Sequence, residues 1–194
     1  MEPAKVDRRV KYTKLMLKDS LIEILESKPI EKITIKEICD RADINRGTFY
    51  SHYSDQFDLY DSIVEDFIMK ALDILGNFME PEPHSIYKSA TKVYEYVKEN
   101  YNLAKVLLKG MEVFGFDKYS DKFNEVIHKV YLDEIKKSVG DVRFVDMVYQ
   151  YVAAANLTLL KYWVNTGMQE SPAEMAALAL KLTSNGVSAF GIQR

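Results

Sequence analysis

Four side chains that can donate hydrogen bonds occupy alternate positions between residues 46 and 52. They are Arg46, Thr48, Tyr50 and His52. A guanidinium can bond guanine with two hydrogen bonds, while hydroxyl and imidazole groups commonly bond phosphates. Gly47 stands among them and allows another backbone to approach closely. These residue types predict contacts with DNA rather than catalysis.

The residues before this segment predict a helix that packs against it. Its buried face is made by residues at helical spacing, which are Ile35, Ile38, Cys39 and Ala42. Thr34 is a suitable N-cap for this helix. Asp43 stands where the chain must reverse, and aspartate is one of the few residues besides glycine that tolerate a left-handed backbone. Two short helices joined by such a turn predict a helix-turn-helix, whose second helix enters the major groove.

The second helix is predicted to run from Arg46 to His52 and to use little of its surface for a core. Asn45 is a suitable N-cap for it. Ile44 and Phe49 are expected to bury the helix against the preceding one. Its remaining surface is therefore available to DNA.

Residues 46–53, Arg-Gly-Thr-Phe-Tyr-Ser-His-Tyr, followed by Leu59, closely resemble the recognition segment of the TetR family of bacterial transcriptional regulators. Residues 32–42, Lys-Ile-Thr-Ile-Lys-Glu-Ile-Cys-Asp-Arg-Ala, match the family's second helix. The resemblance covers about the first 65 residues and is specific, because residue types agree in register at many positions. Two positions depart from the family. Asp43 replaces the usual glycine, and Gln56 replaces a lysine that commonly meets phosphate.

The resemblance implies that eight residues face DNA. They are Thr34, Lys36, Arg46, Gly47, Thr48, Tyr50, His52 and Gln56. Arg46 is the candidate for base recognition, and Thr48 for a thymine methyl or a base edge. Tyr50, His52 and the two residues at helix N-termini are expected to contact phosphates. The alternative for His52 is a lone surface histidine. The family places a core aromatic residue at the position of Tyr53.

Composition and charge describe a globular protein with one basic end. Of its 194 residues, 47% are hydrophobic and 28% are charged, so a substantial core can form. The net charge is −3, yet residues 1–18 carry six basic side chains against two acidic ones. A basic end on a mildly acidic body suits a protein that presents that end to DNA. The alternative is a solvated charge run.

The sequence gives no sign of export or membrane insertion. It has no uninterrupted run of 18 apolar residues and no signal-peptide core at its start. The single cysteine, Cys39, cannot form an internal disulfide and falls on a predicted buried face. We therefore expect a cytoplasmic protein without a membrane partner.

Helical periodicity predicts an all-α protein of about nine helices. The resemblance implies an N-terminal three-helix helix-turn-helix domain, residues 1–54, and a C-terminal helical ligand-binding and dimerisation domain, residues 55–194. The fourth helix is expected from about 55 to 79. The later helices are expected at about 84–100, 102–114, 119–139, 143–166 and 172–190, with glycine and proline between them.

The last two helices predict an interface between two copies of the chain. Val152 to Val164 is apolar nearly all round, so it must be covered on several sides. The final helix is rich in alanine, which permits close helix approach. By resemblance, this pair builds a four-helix homodimer interface, and the dimer reads an inverted-repeat operator in double-stranded DNA. The alternative is a monomeric bundle in which both helices are buried.

The resemblance also implies a pocket for an unidentified small-molecule inducer. Aromatic candidates and one polar group for its lining are Phe67, Phe78, Tyr94, Phe114, Tyr131, Tyr151, Asn156 and Trp163. Lys161 could replace Asn156 as the polar group. For each aromatic residue, the alternative is a position in the ordinary hydrophobic core. A bound ligand would shift the fourth helix and change the separation of the recognition helices. Repression is the family default.

Two other classes of protein are alternatives to a DNA-binding regulator. An enzyme is disfavoured because three scattered histidines give no metal-ligand spacing, and no phosphate loop or nucleophile motif is present. No cofactor, metal or catalytic residue is therefore predicted. A helical protein-interaction module, whose helix-turn-helix no longer binds DNA, is the second alternative. It is suggested by Gln56 and by the acidic total charge.

Overall fold

The computed structural model of the chain describes residues 8–76, 85–114, 139 and 142–188. Every regular element in these ranges is helical, which confirms the predicted all-α fold class. None of the helices within the described ranges is both long enough and apolar enough to cross a membrane. The chain packs as two compact units that divide between Phe67 and Ile68.

The N-terminal unit is built from short helices around the helix-turn-helix. Its elements are α1 (Arg8–Leu25), a 3-10 turn (Ile30–Lys32), α2 (Ile35–Ala42), α3 (Arg46–Tyr50) and the first part of α4 (Gln56–Gly76). From α1, Leu17, Leu21 and Ile24 are buried. Helix α1 ends at Leu25, shortly before Pro29. A proline disfavours helical backbone at the residue before it, so the helix does not continue through Lys28.

The division between the units falls inside α4, whereas the sequence placed a domain boundary between residues 54 and 55. The early part of α4 is strongly apolar on one face, and Leu59, Ile63 and Val64 are buried there. Lys18 of α1 also holds α4, since its Nζ donates to Asp66 Oδ2 at 2.6 Å and to the Ser62 carbonyl at 3.3 Å. These contacts make the start of α4 a structural part of the N-terminal unit.

The C-terminal unit contains four described helices beyond α4. They are α5 (Ser85–Glu99), α6 (Tyr101–Phe114), α7 (Val142–Asn165) and α8 (Pro172–Ser188). Helix α5 packs against α6 and α8, and α7 packs against α6 and α8. These helices match the predicted ones closely. The helix predicted over 119–139 lies outside the described ranges except for Val139.

The connection from α7 to α8 is tied by local hydrogen bonds. Gly167 and Met168 both have positive φ, at +88° and +53°, which reverses the chain after α7. The indole N–H of Trp163 donates to the Glu170 carbonyl at 3.1 Å and closes this turn. Ser171 then caps α8, because its hydroxyl and the Glu174 carboxylate exchange bonds with each other's backbone N–H.

Candidate nucleic-acid interface

The start of α2 is fixed by a capping box around Thr34. The Thr34 hydroxyl oxygen accepts the Glu37 backbone N–H at 3.3 Å, and Glu37 Oε2 accepts the Thr34 backbone N–H at 2.8 Å. The Thr34 hydroxyl also donates to Glu37 Oε2, at 2.8 Å. The predicted N-cap is confirmed. Both donors of Thr34 are thus engaged by a carboxylate, so a phosphate would have to displace Glu37 to reach them.

Glu37 carries a charge that the capping box depends on. Its pKa is lowered from 4.5 to about 2, first by the Lys28 ammonium, which donates to Oε1 at 2.6 Å, and then by the two Thr34 donors. Because its folded pKa is the lower one, Glu37 stabilises the fold above about pH 4.5. That contribution is lost as the pH falls from about 4.5 towards 2.

We expect Glu37→Gln to lower the free energy of unfolding of the N-terminal unit at pH 6 but not at pH 2. Glutamine keeps one oxygen that can accept the two Thr34 donors, but it removes the charge and the second oxygen, to which Lys28 donates. The measurement is hydrogen exchange of α1 and α2 amides for both proteins across this pH range. Glu26→Gln, at an exposed position in the same unit, is the control. A difference that stays constant from pH 6 to pH 2 would contradict this role of Glu37.

The turn between α2 and α3 has the backbone that the sequence predicted. Asp43 lies in the left-handed region, with φ 53° and ψ 44°, and its N–H donates to the Cys39 carbonyl. Ile44 N–H donates to the same carbonyl at 3.0 Å. Cys39 itself is buried, and this burial raises the pKa of its thiol. The turn therefore fixes where α3 leaves α2, and Cys39 serves as a core residue.

Helix α3 is capped by Asn45, whose Oδ1 accepts the Gly47 N–H at 2.7 Å. A Cβ at Gly47 would stand 3.3 Å from that same oxygen, which is tighter than most contacts of this kind. The absence of a Cβ at Gly47 therefore leaves room for the Asn45 oxygen that caps the helix. The sequence alone did not predict this role. The helix ends at Tyr50, earlier than the predicted His52. A hydrogen-bonded turn continues it, since His52 N–H donates to the Phe49 carbonyl at 2.9 Å.

The two faces of α3 are sharply divided. Phe49 is fully buried and Tyr53 nearly so, as expected of core residues, and their ring centres lie 6.0 Å apart. On the other face Arg46, Thr48 and Tyr50 are exposed together with Gly47. Three of these four can donate hydrogen bonds from their side chains. Helix α3 thus presents a polar surface anchored from behind by aromatic rings.

Three other basic or polar groups belong to the same unit as α3. His52 is half-buried, with its ring centre 6.5 Å from that of Tyr53. Lys36 is exposed on α2. Lys14 of α1 places its ammonium 5.9 Å from the centre of the Tyr53 ring, which brings a cation to the end of α3. Lys14 was not among the predicted contacts, although the basic run at residues 1–18 pointed to this part of the chain.

The start of α4 is acidic, which bears on the predicted phosphate contact of Gln56. Asp55 Oδ1 accepts the Phe57 and Asp58 N–H groups at 2.9 and 2.8 Å, and Asp58 Oδ2 accepts the Ser54 N–H at 2.8 Å. Gln56 is half-buried between these two carboxylates in sequence. Since a carboxylate already occupies two of the free N–H groups of this helix end, a phosphate meets repulsion there.

The structure describes the side chains of five of the eight predicted ligand-lining residues. Tyr94 and Trp163 pack in the core with ring centres 5.3 Å apart, and Trp163 is fully buried. Phe67 is half-buried and belongs to the N-terminal unit. Phe78 and Tyr131 lie beyond the described ranges. Phe114 ends α6, and its side chain is outside the described set.

Tyr151 and Asn156, the remaining two, line an open groove of about 680 Å³ between α7 and α8. Its walls carry no charged side chain, and the residues that form them are Phe144, Met147, Val148, Tyr151, Val152, Ala155, Asn156, Leu159, Ala179, Leu182, Thr183 and Gly186. Large apolar side chains are exposed along it, with Met147 at 67%, Tyr151 at 72% and Leu182 at 59%. An apolar surface of this kind marks an interaction site.

Among the described residues, no group of three or more histidine, cysteine, aspartate or glutamate side chains could hold a metal ion. The polar face of α3, held by a capped helix-turn-helix, instead has the features of a DNA-binding domain. A family model for the C-terminal region of TetR transcriptional regulators matches residues 84–185. The chain therefore belongs to the TetR family of transcriptional regulators.

Comparison with individual proteins agrees with this family. The HTH-type transcriptional regulator YxbF of Bacillus subtilis (strain 168) is 25% identical over 174 residues, which are 87% of this chain and 44% of that protein. The chain therefore spans less than half the length of this curated relative.

Two solved structures share the fold. NalD, the secondary repressor of the MexAB-OprM multidrug efflux pump in Pseudomonas aeruginosa, superimposes with a TM-score of 0.68 at 14% identity, over 93% of this chain and 98% of that one. The dihydroxyacetone kinase operon activator DhaS does so with a TM-score of 0.59 at 19% identity, over 92% and 97%.

Proposed function

We propose that this chain is a sequence-specific DNA-binding transcriptional regulator that acts as a homodimer. Helix α3 enters the major groove, and α7 and α8 form the interface with a second copy. Two symmetric copies then read an inverted-repeat operator, with the recognition helices about 34–36 Å apart or a multiple of that distance. Membership of the TetR family supports both DNA binding and dimerisation.

The observation that carries the proposal is the division of α3 into a buried aromatic face and an exposed donor face. Phe49 fixes the helix, and Arg46, Thr48 and Tyr50 stand exposed in one short stretch. Lys36 is an exposed cation on α2, and the Lys14 ammonium of α1 lies over the Tyr53 ring, just beyond α3. Cations position the duplex through phosphates, while a guanidinium can read a base edge. The predicted contacts of Thr34 and Gln56 receive less support, since Glu37 engages both donors of Thr34 and the helix end at Gln56 carries Asp55 and Asp58.

We expect Arg46→Ala to weaken operator binding by about 1–3 kcal/mol while changing affinity for random DNA much less. The reason is that a bidentate contact to guanine is lost on the correct sequence only. Lys36→Ala is the control, and it should weaken binding to both DNAs evenly. Fluorescence anisotropy with both duplexes at one salt concentration measures these affinities. Equal losses on operator and random DNA for Arg46→Ala would refute base recognition by Arg46.

Salt dependence separates DNA binding from a protein-interaction module. If the helix-turn-helix binds DNA, the logarithm of the association constant falls linearly with the logarithm of the salt concentration. A module that has lost this role would show no DNA binding at any salt concentration.

In the same assay, Gln56→Lys should steepen the slope of the logarithm of the association constant against the logarithm of the salt concentration. The slope should change by about 0.9 if the new ammonium neutralises one phosphate. An unchanged slope would show that Asp55 and Asp58 keep the phosphate backbone of the DNA away from the start of α4. Gln150→Lys, on exposed α7 surface, provides the control for charge alone.

Control by a small molecule is proposed from the family. A ligand that prefers one of two conformations would act through α4 and change the separation of the recognition helices. It could shift the equilibrium only by the difference between its affinities for the two conformations. The core positions of Tyr94 and Trp163 give no support to them as ligand contacts. Repression remains the proposed default, and NalD and DhaS, a repressor and an activator, do not choose between the two outcomes.

A further inference from the structure

One polar pair lies in the otherwise apolar groove between α7 and α8. Asn156 Nδ2 donates to the Val152 carbonyl of its own helix at 2.8 Å and to Thr183 Oγ1 of α8 at 3.2 Å. Both residues are half-buried and line the groove. Tyr151 is the one other wall residue with a polar side-chain atom.

The hydrogen-bonding groups of this pair are only partly used. A carbonyl can only accept, so the bond to Val152 fixes which end of the Asn156 amide carries the hydrogens. Both amide hydrogens are then used, and the Thr183 oxygen accepts one of them. The Asn156 Oδ1 acceptor and the Thr183 hydroxyl hydrogen find no other bond within the described part of the chain. The pair therefore offers one acceptor and one donor.

A twofold axis makes these two groups complementary to themselves. In a symmetric dimer, when one residue contacts a second residue across the interface, the same contact occurs in reverse. An Asn156 acceptor facing the partner's Thr183 donor would thus be repeated on the other side of the axis. A single polar contact in an apolar helix interface fixes register, because a slipped arrangement leaves polar groups unpaired.

We infer that Asn156 and Thr183 set the register of the α7–α8 homodimer by hydrogen-bonding across its twofold axis. The inference rests on the proposed dimer. An uncharged apolar face permits several alignments of the helices of the two copies. The pair selects one of these alignments, and this in turn fixes the spacing of the recognition helices. The occupant of the groove is a second copy of this chain.

The test is a double-mutant cycle with Asn156→Leu and Thr183→Val, read by dimer dissociation in sedimentation experiments. Each single variant strands a polar partner and should weaken the dimer by roughly 5- to 150-fold. The double variant strands none, so its dimer should dissociate no more readily than the wild type. Ser184→Ala, an exposed hydroxyl of α8 outside the groove, is the control and should change nothing.

Register is read by pulsed electron resonance between spin labels at Gln169→Cys, in the exposed turn after α7. Cys39 is buried, so the label goes to residue 169. The wild-type dimer should give one narrow distance, and the double variant should add a population displaced by about one helical turn, roughly 5 Å. A double variant with the same single distance, or single variants that dimerise normally, would overturn the register role alone. A wild-type protein that stays monomeric would overturn the proposed dimer and this inference together.

Discussion

Replacing Phe49 with alanine should unfold the helix-turn-helix and abolish binding to every DNA sequence. Phe49 is fully buried, and its ring lies 5.7 Å from that of Tyr50 and 6.0 Å from that of Tyr53. Removing a buried phenylalanine side chain costs about 3–5 kcal/mol, because apolar contacts are lost and a cavity remains. Helix α3 has five residues and cannot hold itself without this anchor. The measurement is hydrogen exchange of α1 and α2 amides, together with DNA-binding anisotropy.

Tyr50→Ala is the matched control for this experiment. Tyr50 is the next residue along the same helix, but 57% of it is exposed. Its loss should leave amide protection nearly unchanged and weaken DNA binding through one missing contact. If Phe49→Ala kept wild-type protection, or if Tyr50→Ala lost as much, the assignment of the two faces of α3 would be wrong.

Placing a charge in the groove between α7 and α8 should separate the dimer. Met147 is 67% exposed in the single chain and lines the uncharged groove, so Met147→Glu should leave the fold of one copy intact. In the proposed dimer the same carboxylate would be buried without a partner. We expect dimer dissociation to rise by roughly 30-fold or more, as at an interface hot spot, with loss of inverted-repeat binding. Sedimentation equilibrium and anisotropy measure the two effects.

Gln150→Glu adds the same charge to an exposed position of α7 outside the groove wall and should leave dimerisation unchanged. A monomeric wild type, or a Met147→Glu variant that dimerises like the wild type, would exclude this face as the interface. In the second case a small molecule would become the better occupant of the groove.

The helix-turn-helix was predictable because local chemistry determines it. Capping by Thr34 and Asn45 needs only a side-chain oxygen two or three residues from a backbone N–H. The left-handed backbone at Asp43 needs a residue that tolerates it. The buried position of Phe49 follows from helical spacing. Each of these features is encoded within a few residues, and the structure shows all of them.

Features that depend on packing or on neighbouring charges were not predictable in the same way. An aromatic residue at helical spacing can face a core, a ligand or a partner. Trp163 lies in the core, whereas Tyr151 lines an open groove. The second role of Gly47 depends on where the Asn45 oxygen lies. The approach of Lys14 to Tyr53 joins α1 to the end of α3, which are distant in sequence.

Selection of bound sequences from random duplex DNA shows whether the exposed face of α3 reads a specific sequence as part of a symmetric dimer. The purified, ligand-free protein is used at moderate salt, with Arg46→Ala selected in parallel. We expect the wild type to recover one inverted repeat and Arg46→Ala to recover a less specific set. No enrichment by the ligand-free wild type, or enrichment of a single unrepeated site, would contradict this expectation.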